Sequence, residues 1–146
     1  MSIINKPLSQ VILFQIDRTS KTARNYSQQE FDKVSPKVTI DQWVLLKVIE
    51  ENEGASQKVI ADKSVRDQAS VTRTLDLLEK KGLVRRSAIP GNRRQYQIEL
   101  TLSGRTFIDD NMEMVNRHRA KSLEGFSQAE IETLHSMLVR IQENMT

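Results

Sequence analysis

Between Val71 and Leu100 the hydrophobic period of the chain switches from that of a helix to that of a strand. Val71, Leu75 and Leu78 recur at helical spacing, Lys80-Lys81 close the run, and Gly82 supplies a left-handed stop. Leu83 and Val84 then open an extended segment. On the return, Tyr96, Ile98 and Leu100 alternate with Gln95, Gln97 and Glu99, the pattern of a half-buried antiparallel strand, and Pro90-Gly91-Asn92 supplies the turn. A helix that feeds directly into a hairpin leaves few folds open. This hairpin carries two arginine pairs, Arg85-Arg86 and Arg93-Arg94, which ask for a partner.

Upstream, apolar residues at Leu8, Val11, Ile12 and Ile16, with Ala23 and Tyr26 later, predict one long helix from Leu8 to about Phe31, stopped by Pro36. Thr39-Ile-Asp-Gln42 is a capping box for a second helix through Trp43, Leu45, Leu46, Val48 and Ile49, ending near Asn52. Ser56 caps a third, Gln57 to about Lys63, with Val59, Ile60 and Ala61 expected inward, and Asp67 caps the fourth. Beyond the hairpin, Thr101 caps a long helix through Phe107, Ile108, Met112, Val115 and Leu123. Ser127-Gln-Ala-Glu130 opens a last one, whose Ile131, Leu134, Leu138, Ile141 and Met145 form a seam for another helix.

The chain of 146 residues is long enough to bury a core unaided, and with 38% hydrophobic and 28% charged residues it should fold in water. No apolar run approaches the span of a bilayer, and the start lacks the basic and small-residue marks of a signal peptide, so no membrane partner and a cytoplasmic location are expected. Having no cysteine excludes disulfides, thiolate metal sites and thiol redox switches. The net charge is only +3, yet Ser56 to Arg105 holds 11 of the 22 Lys/Arg and only 5 of the 19 Asp/Glu. Basic charge gathered in one segment points to a polyanion.

Two helices, the second with a polar outer face, followed by a basic hairpin give the order of a winged helix-turn-helix. The residues that carry it, DQWVLLKVI, KVIADK, ASVTRTLDLLEKKGLVRR, GNRRQ and LTLSGR, resemble in order and spacing the MarR family of transcriptional regulators over Thr39 to Asp109. The resemblance implies a homodimer binding a pseudo-palindromic operator in double-stranded DNA, a repressor released by a small aromatic or phenolic effector. A constitutive DNA-binding protein without a ligand is the alternative. Two departures stand out: Asn92 replaces the first residue of the family's Asp-x-Arg wing motif, and Leu77 takes a position more often polar.

The residues themselves lead to the same surface. With Val71, Leu75 and Leu78 turned inward, Ala69, Ser70, Arg73, Asp76 and Lys80 lie on the opposite face of the fourth helix. Arg73 can offer paired donors to guanine, and Gln68, Ser70 and Thr72 sit near the helix start. On the wing, Asn92, Arg93 and Arg94 can meet the neighbouring minor groove and phosphates. The family motif selects Arg94, whereas strand parity turns Arg93 outward, and Asn92 can orient an arginine through its carbonyl oxygen.

Phe14, Trp43, Phe107 and Met112 are candidates for an effector pocket, though core packing explains them as well. His118 and His135, on different helices without a thiol, make no case for a metal, and no cofactor motif or nucleophile with its base indicates an enzyme. The expected fold is mostly α. Residues 37–104 form the winged domain with a two-stranded β wing, and the helices of 1–36 and 105–146 form a dimerisation region.

Overall fold

The computed structural model describes residues 5–146, the side chain of Arg93 excepted. Two compact units divide the chain, Met1–Met112 and Glu113–Thr146, and their boundary falls within one helix. The described elements are α1 (Ile12–Phe31), α2 (Ile40–Glu51), α3 (Gln57–Lys63), α4 (Gln68–Lys80), β1 (Val84–Ile89), β2 (Asn92–Leu100), α5 (Leu102–Ser122) and α6 (Gln128–Asn144). This is the mostly helical winged architecture with a two-stranded antiparallel wing.

Local chemistry sets most of the boundaries. Thr39 accepts from the Gln42 amide while Gln42 accepts from the Thr39 amide, closing the capping box of α2. Ser56 caps α3 through the Val59 amide, and Ser127 with Glu130 closes a second capping box on α6. Each such cap is worth ~1 kcal/mol, because it satisfies amides that a helix cannot satisfy itself.

The first helix departs from expectation. After Pro7 the chain makes a tight 3-10 turn, Leu8–Gln10, with amides bonding three residues back, and Val11 is extended before α1 begins. Leu8, Ile12 and Leu13 stay exposed, and Phe31 is the one fully buried residue of α1. Its end at Phe31 is the one expected.

The core of the first unit lies where α2, α3, α4 and the wing meet. Leu46 and Ile49 from α2, Ile60 from α3, Leu75 and Leu78 from α4 and Ile98 from β2 are completely buried, each worth about 1.5–3 kcal/mol relative to exposure. Val59 is 37% exposed, contrary to the expected inward position, because α3 has only two turns and buries Ile60 and Ala61 alone.

The wing pairs Val84 with Leu100 through to Ala88 with Tyr96 in regular antiparallel register. Its second strand has another neighbour: Gly54 donates to the Ile98 carbonyl at 3.2 Å, and Ile98 donates to Ala55 at 3.0 Å. Burial follows the alternation at Ile98 and Leu100 and fails at Tyr96, which is 45% exposed, because the hairpin projects beyond the helices there.

Thr101 fastens the root of the wing. Its hydroxyl donates to the Gly82 carbonyl at 2.6 Å and accepts from the Gly104 amide at 3.0 Å, so one side chain joins the entry of β1 to the first turn of α5. Gly82 itself has φ +75, the left-handed stop expected of it.

Candidate nucleic-acid interface

α4 is placed by its start. Asp67 accepts from the Ser70 amide at 2.8 Å and from its hydroxyl at 2.9 Å, and these bonds hold the Asp67 carboxyl below its ordinary value of 3.8. Gln57 on α3 donates to the Thr72 hydroxyl at 2.8 Å, so the two helices are joined by a direct polar contact as well as by packing. Val71, Leu75 and Leu78 fix the inner face, leaving Gln68, Ala69, Arg73 and Lys80 exposed and Ser70 and Thr72 partly so.

Arg73 donates from Nη2 to the Ser70 hydroxyl at a long 3.3 Å. Among the described residues it makes no ion pair, and Asp76, its nearest rival partner in sequence, is taken by another arginine. Arg86 on β1 reaches α4, donating to Asp76 and, at 3.0 Å, to Glu79. Burial alone would push the Arg86 pKa down. The bonds to Glu79 and Asp76 outweigh that and raise it, while the bond from Arg86 holds the Glu79 carboxyl down.

The hairpin's cations therefore divide by task. Arg85 pairs across the ladder with Glu99 at 2.7 Å, and Arg86 is committed to α4, its guanidinium also lying 6.0 Å from the centre of the Tyr96 ring. Arg94 makes no ion pair among the described residues. Lys81 is occupied too, donating to the Lys37 carbonyl and to Gln42 Oε1 at 2.8 Å, whereas neighbouring Lys80 is exposed.

Around the wing tip the pairing shifts: Ile89 faces Asn92 and Ala88 faces Tyr96, so residues 93–95 bulge without partners on β1. Strand parity consequently says nothing about where Arg93 and Arg94 point. Arg94 lines a cleft of about 380 Å³ together with Gln68 and Thr72 of α4, Gln57 and Lys58 of α3, and Arg86 and Tyr96 of the wing. The side chain of Arg93 lies outside the described residues. Asn92 does bind an arginine through its carbonyl oxygen, but it accepts from the Arg94 backbone amide at 3.0 Å, fixing the turn.

Gln57 and Lys58 belong to this face without having been singled out in the sequence. Their signal was the Ser56 cap, which sets the first turn of α3, but only the packing of α3 on α4 shows where that turn points.

The proposed effector residues fall in two groups. Trp43 and Phe107 are buried and 6.2 Å apart between ring centres, and the ring centre of Phe31, also buried, is 5.4 Å from that of Trp43. Phe14 and Met112 are half-buried. Among the described residues no cluster of three or more His, Asp or Glu could hold a metal ion, and no helix is long and apolar enough to cross a membrane.

Residues 38–96 match the model of the MarR family. The fold is shared with solved structures of similar length. The transcriptional regulator SlyA is 27% identical, with 92% of this chain and 93% of that one covered and a TM-score of 0.81. A mutant MarR from E. coli in complex with operator DNA is 18% identical, with 94% and 99% covered and a TM-score of 0.83. BpsR of Bordetella bronchiseptica, whose DNA binding is regulated by 6-hydroxynicotinic acid, is 20% identical, with 94% and 97% covered and a TM-score of 0.84.

Proposed function

From the match of residues 38–96 to the MarR family we propose that the chain is a transcriptional regulator of that family, acting as a homodimeric, ligand-released repressor on a pseudo-palindromic DNA operator. In this reading α4 enters the major groove, where Arg73 offers a paired donor to a guanine edge. The wing tip, with Arg94, lies over the adjoining minor groove and phosphates. The observation that carries it is the sorting of cations: Arg85 and Arg86 are spent on Glu99, Asp76 and Glu79, while Arg73, Lys80 and Arg94 are left without ion pairs among the described residues.

Two copies are required by the geometry of DNA. One helix reads only a few base pairs, and a two-fold pair sets two readers about 34–36 Å apart, one helical turn. The helices of residues 1–36 and 105–146 form the contact between copies, since Leu13 and Tyr26 on α1 and Leu134 and Met137 on α6 are exposed in the single chain. The release signal is a small aromatic or phenolic molecule bound near Phe14, Trp43, Phe107 and Met112. The effector regulation of BpsR supports that role by analogy.

The test begins with a duplex selected by the wild-type protein from a randomised pool, titrated with salt beside a scrambled control. Arg73→Ala should cost about 1–3 kcal/mol on the selected duplex and relax preference at one symmetric pair of positions. Arg94→Ala should weaken both duplexes and lower the slope of log affinity against log salt by about 2, given ~0.9 per neutralised phosphate and two copies. Should Arg94→Ala change nothing while Arg93→Ala lowers both, the wing contact belongs to Arg93. A wild type that prefers no sequence would overturn the proposal.

A further inference from the structure

We infer that Asp41 is a positioning residue for DNA recognition: held between Arg24 of α1 and Arg66 of the turn before α4, it sets where the recognition helix begins and so where Arg73 points. The inference rests on the DNA-reading role proposed for Arg73. Asp41 stands in the first turn of α2, and each of its two carboxylate oxygens takes a different arginine, Oδ1 the Nη1 of Arg24 and Oδ2 the Nη1 of Arg66.

Arg66 is the residue immediately before Asp67, the cap of α4. From Asp67 the bonds continue to the Ser70 amide and hydroxyl, and the Ser70 hydroxyl in turn accepts from Arg73. One covalent step, from Arg66 to Asp67, is all that interrupts a polar chain running from α1 to the proposed base reader.

The turn that this chain crosses does not hold itself. Val65 has φ +63 and is 95% exposed, so a β-branched residue sits in the left-handed region with no packing of its own to keep it there. Such a conformation persists only where its neighbours determine it. On one side Ser64 is buried and donates to the Ala61 carbonyl at 2.8 Å; on the other the anchor is Arg66 on Asp41. Without Asp41, the turn and the first residues of α4 lose that second anchor.

The three side chains are one-third to one-half exposed, 33% for Asp41 and Arg66 and 49% for Arg24. Pairs this wet contribute little to stability, so their removal leaves the fold standing and the effect on positioning can be read separately.

The experiment is a double-mutant cycle on the selected and scrambled duplexes, with the full-length protein and a melting curve for every variant. Asp41→Asn should lower the preference for the selected duplex by about tenfold, within the span that one base contact carries. The salt slope should stay unchanged, as no phosphate contact is removed. Arg24→Ala should move the preference in the same direction. The decisive result is coupling: Arg73→Ala, costly in the wild type, should cost several-fold less in the Asp41→Asn background. If wild type discriminates and the effects of Asp41→Asn and Arg73→Ala simply multiply, the inference is overturned while the DNA-reading proposal stands. If wild type itself prefers no duplex, both fall.

Discussion

Arg86 Nη2 lies 3.0 Å from Glu79 Oε1, joining the first strand of the wing to the last turn of α4. The same guanidinium reaches Asp76 and keeps only 18% of its side chain exposed, so its two carboxylate partners are its replacement for water. Truncation would take the guanidinium from both acids, leaving Glu79 only the backbone amide of residue 86, at 3.2 Å. Arg86→Ala should therefore cost about 1–2 kcal/mol and lower the melting temperature by several degrees. Arg86→Lys should recover only part of this, as a point charge cannot serve two acids with separate donors. Thermal denaturation of the two variants beside wild type tests it; equal melting temperatures for all three would sink the clamp.

Gly104, in the LTLSGR motif, is constrained by distance alone. A Cβ built there would stand 2.1 Å from the Leu83 carbonyl oxygen, and that oxygen is backbone already bonded to the Thr101 amide at 3.1 Å. Neither side can yield cheaply. Gly104→Ala should destabilise by about 1–3 kcal/mol, the cost of overpacking a tight site. The control is Gly125→Ala, where nothing lies within 4 Å and only the φ of +86 opposes the change. Denaturant titration should show the Gly104 variant unfolding first.

Val65 gives the opposite sign. Glycine adopts its left-handed backbone without steric conflict, and the relief exceeds the extra entropy glycine gives the unfolded chain. Val65→Gly should stabilise by about 0.5–1 kcal/mol, seen as a raised melting temperature. A lower one would mean that the side chain makes a contact worth more than the strain it bears.

For α6, Leu138 and Ile141 are half-buried in the single chain and Leu134 is exposed, consistent with a seam that a second copy completes. Replacing Leu138 and Ile141 together with Asp would bury two unpaired charges, each costing several kcal/mol. The wild type should sediment as a dimer at micromolar concentration and the variant as a monomer. A variant that stays dimeric would remove α6 from the proposed interface.

How much of this was legible beforehand depends on the reach of the forces involved. The helix starts at Thr39, Ser56, Asp67 and Ser127 and the stop at Gly82 were readable, because a cap is settled within four residues of chain. The inner face of α4 was readable for the same reason. The break at Val11 escaped, since apolar spacing registers a stripe but not the i→i−3 bonding that follows Pro7. In the wing, the four arginines look alike in sequence. Which of them are spent depends on Asp76, Glu79 and Glu99, placed by tertiary packing and strand register. Alternation does not reveal the register shift after Ala88 that leaves residues 93–95 without partners on β1. The exposure of Leu77 has no explanation in the structure.

Thr101 makes the hairpin a cantilever. Its bonds to Gly82 and Gly104, with its amide on Leu83, clamp both ends of the wing to one block of structure, and Arg86 braces the arm a short way out. Beyond the brace the ladder loses regular pairing at residues 93–95, so compliance is concentrated at the free end. A small bend distributed over those outer residues displaces the tip most and the clamped end least. In the proposed DNA-bound state, the tip of such an arm would follow grooves of different width from one DNA sequence to the next, while the helix joined to its root keeps its alignment.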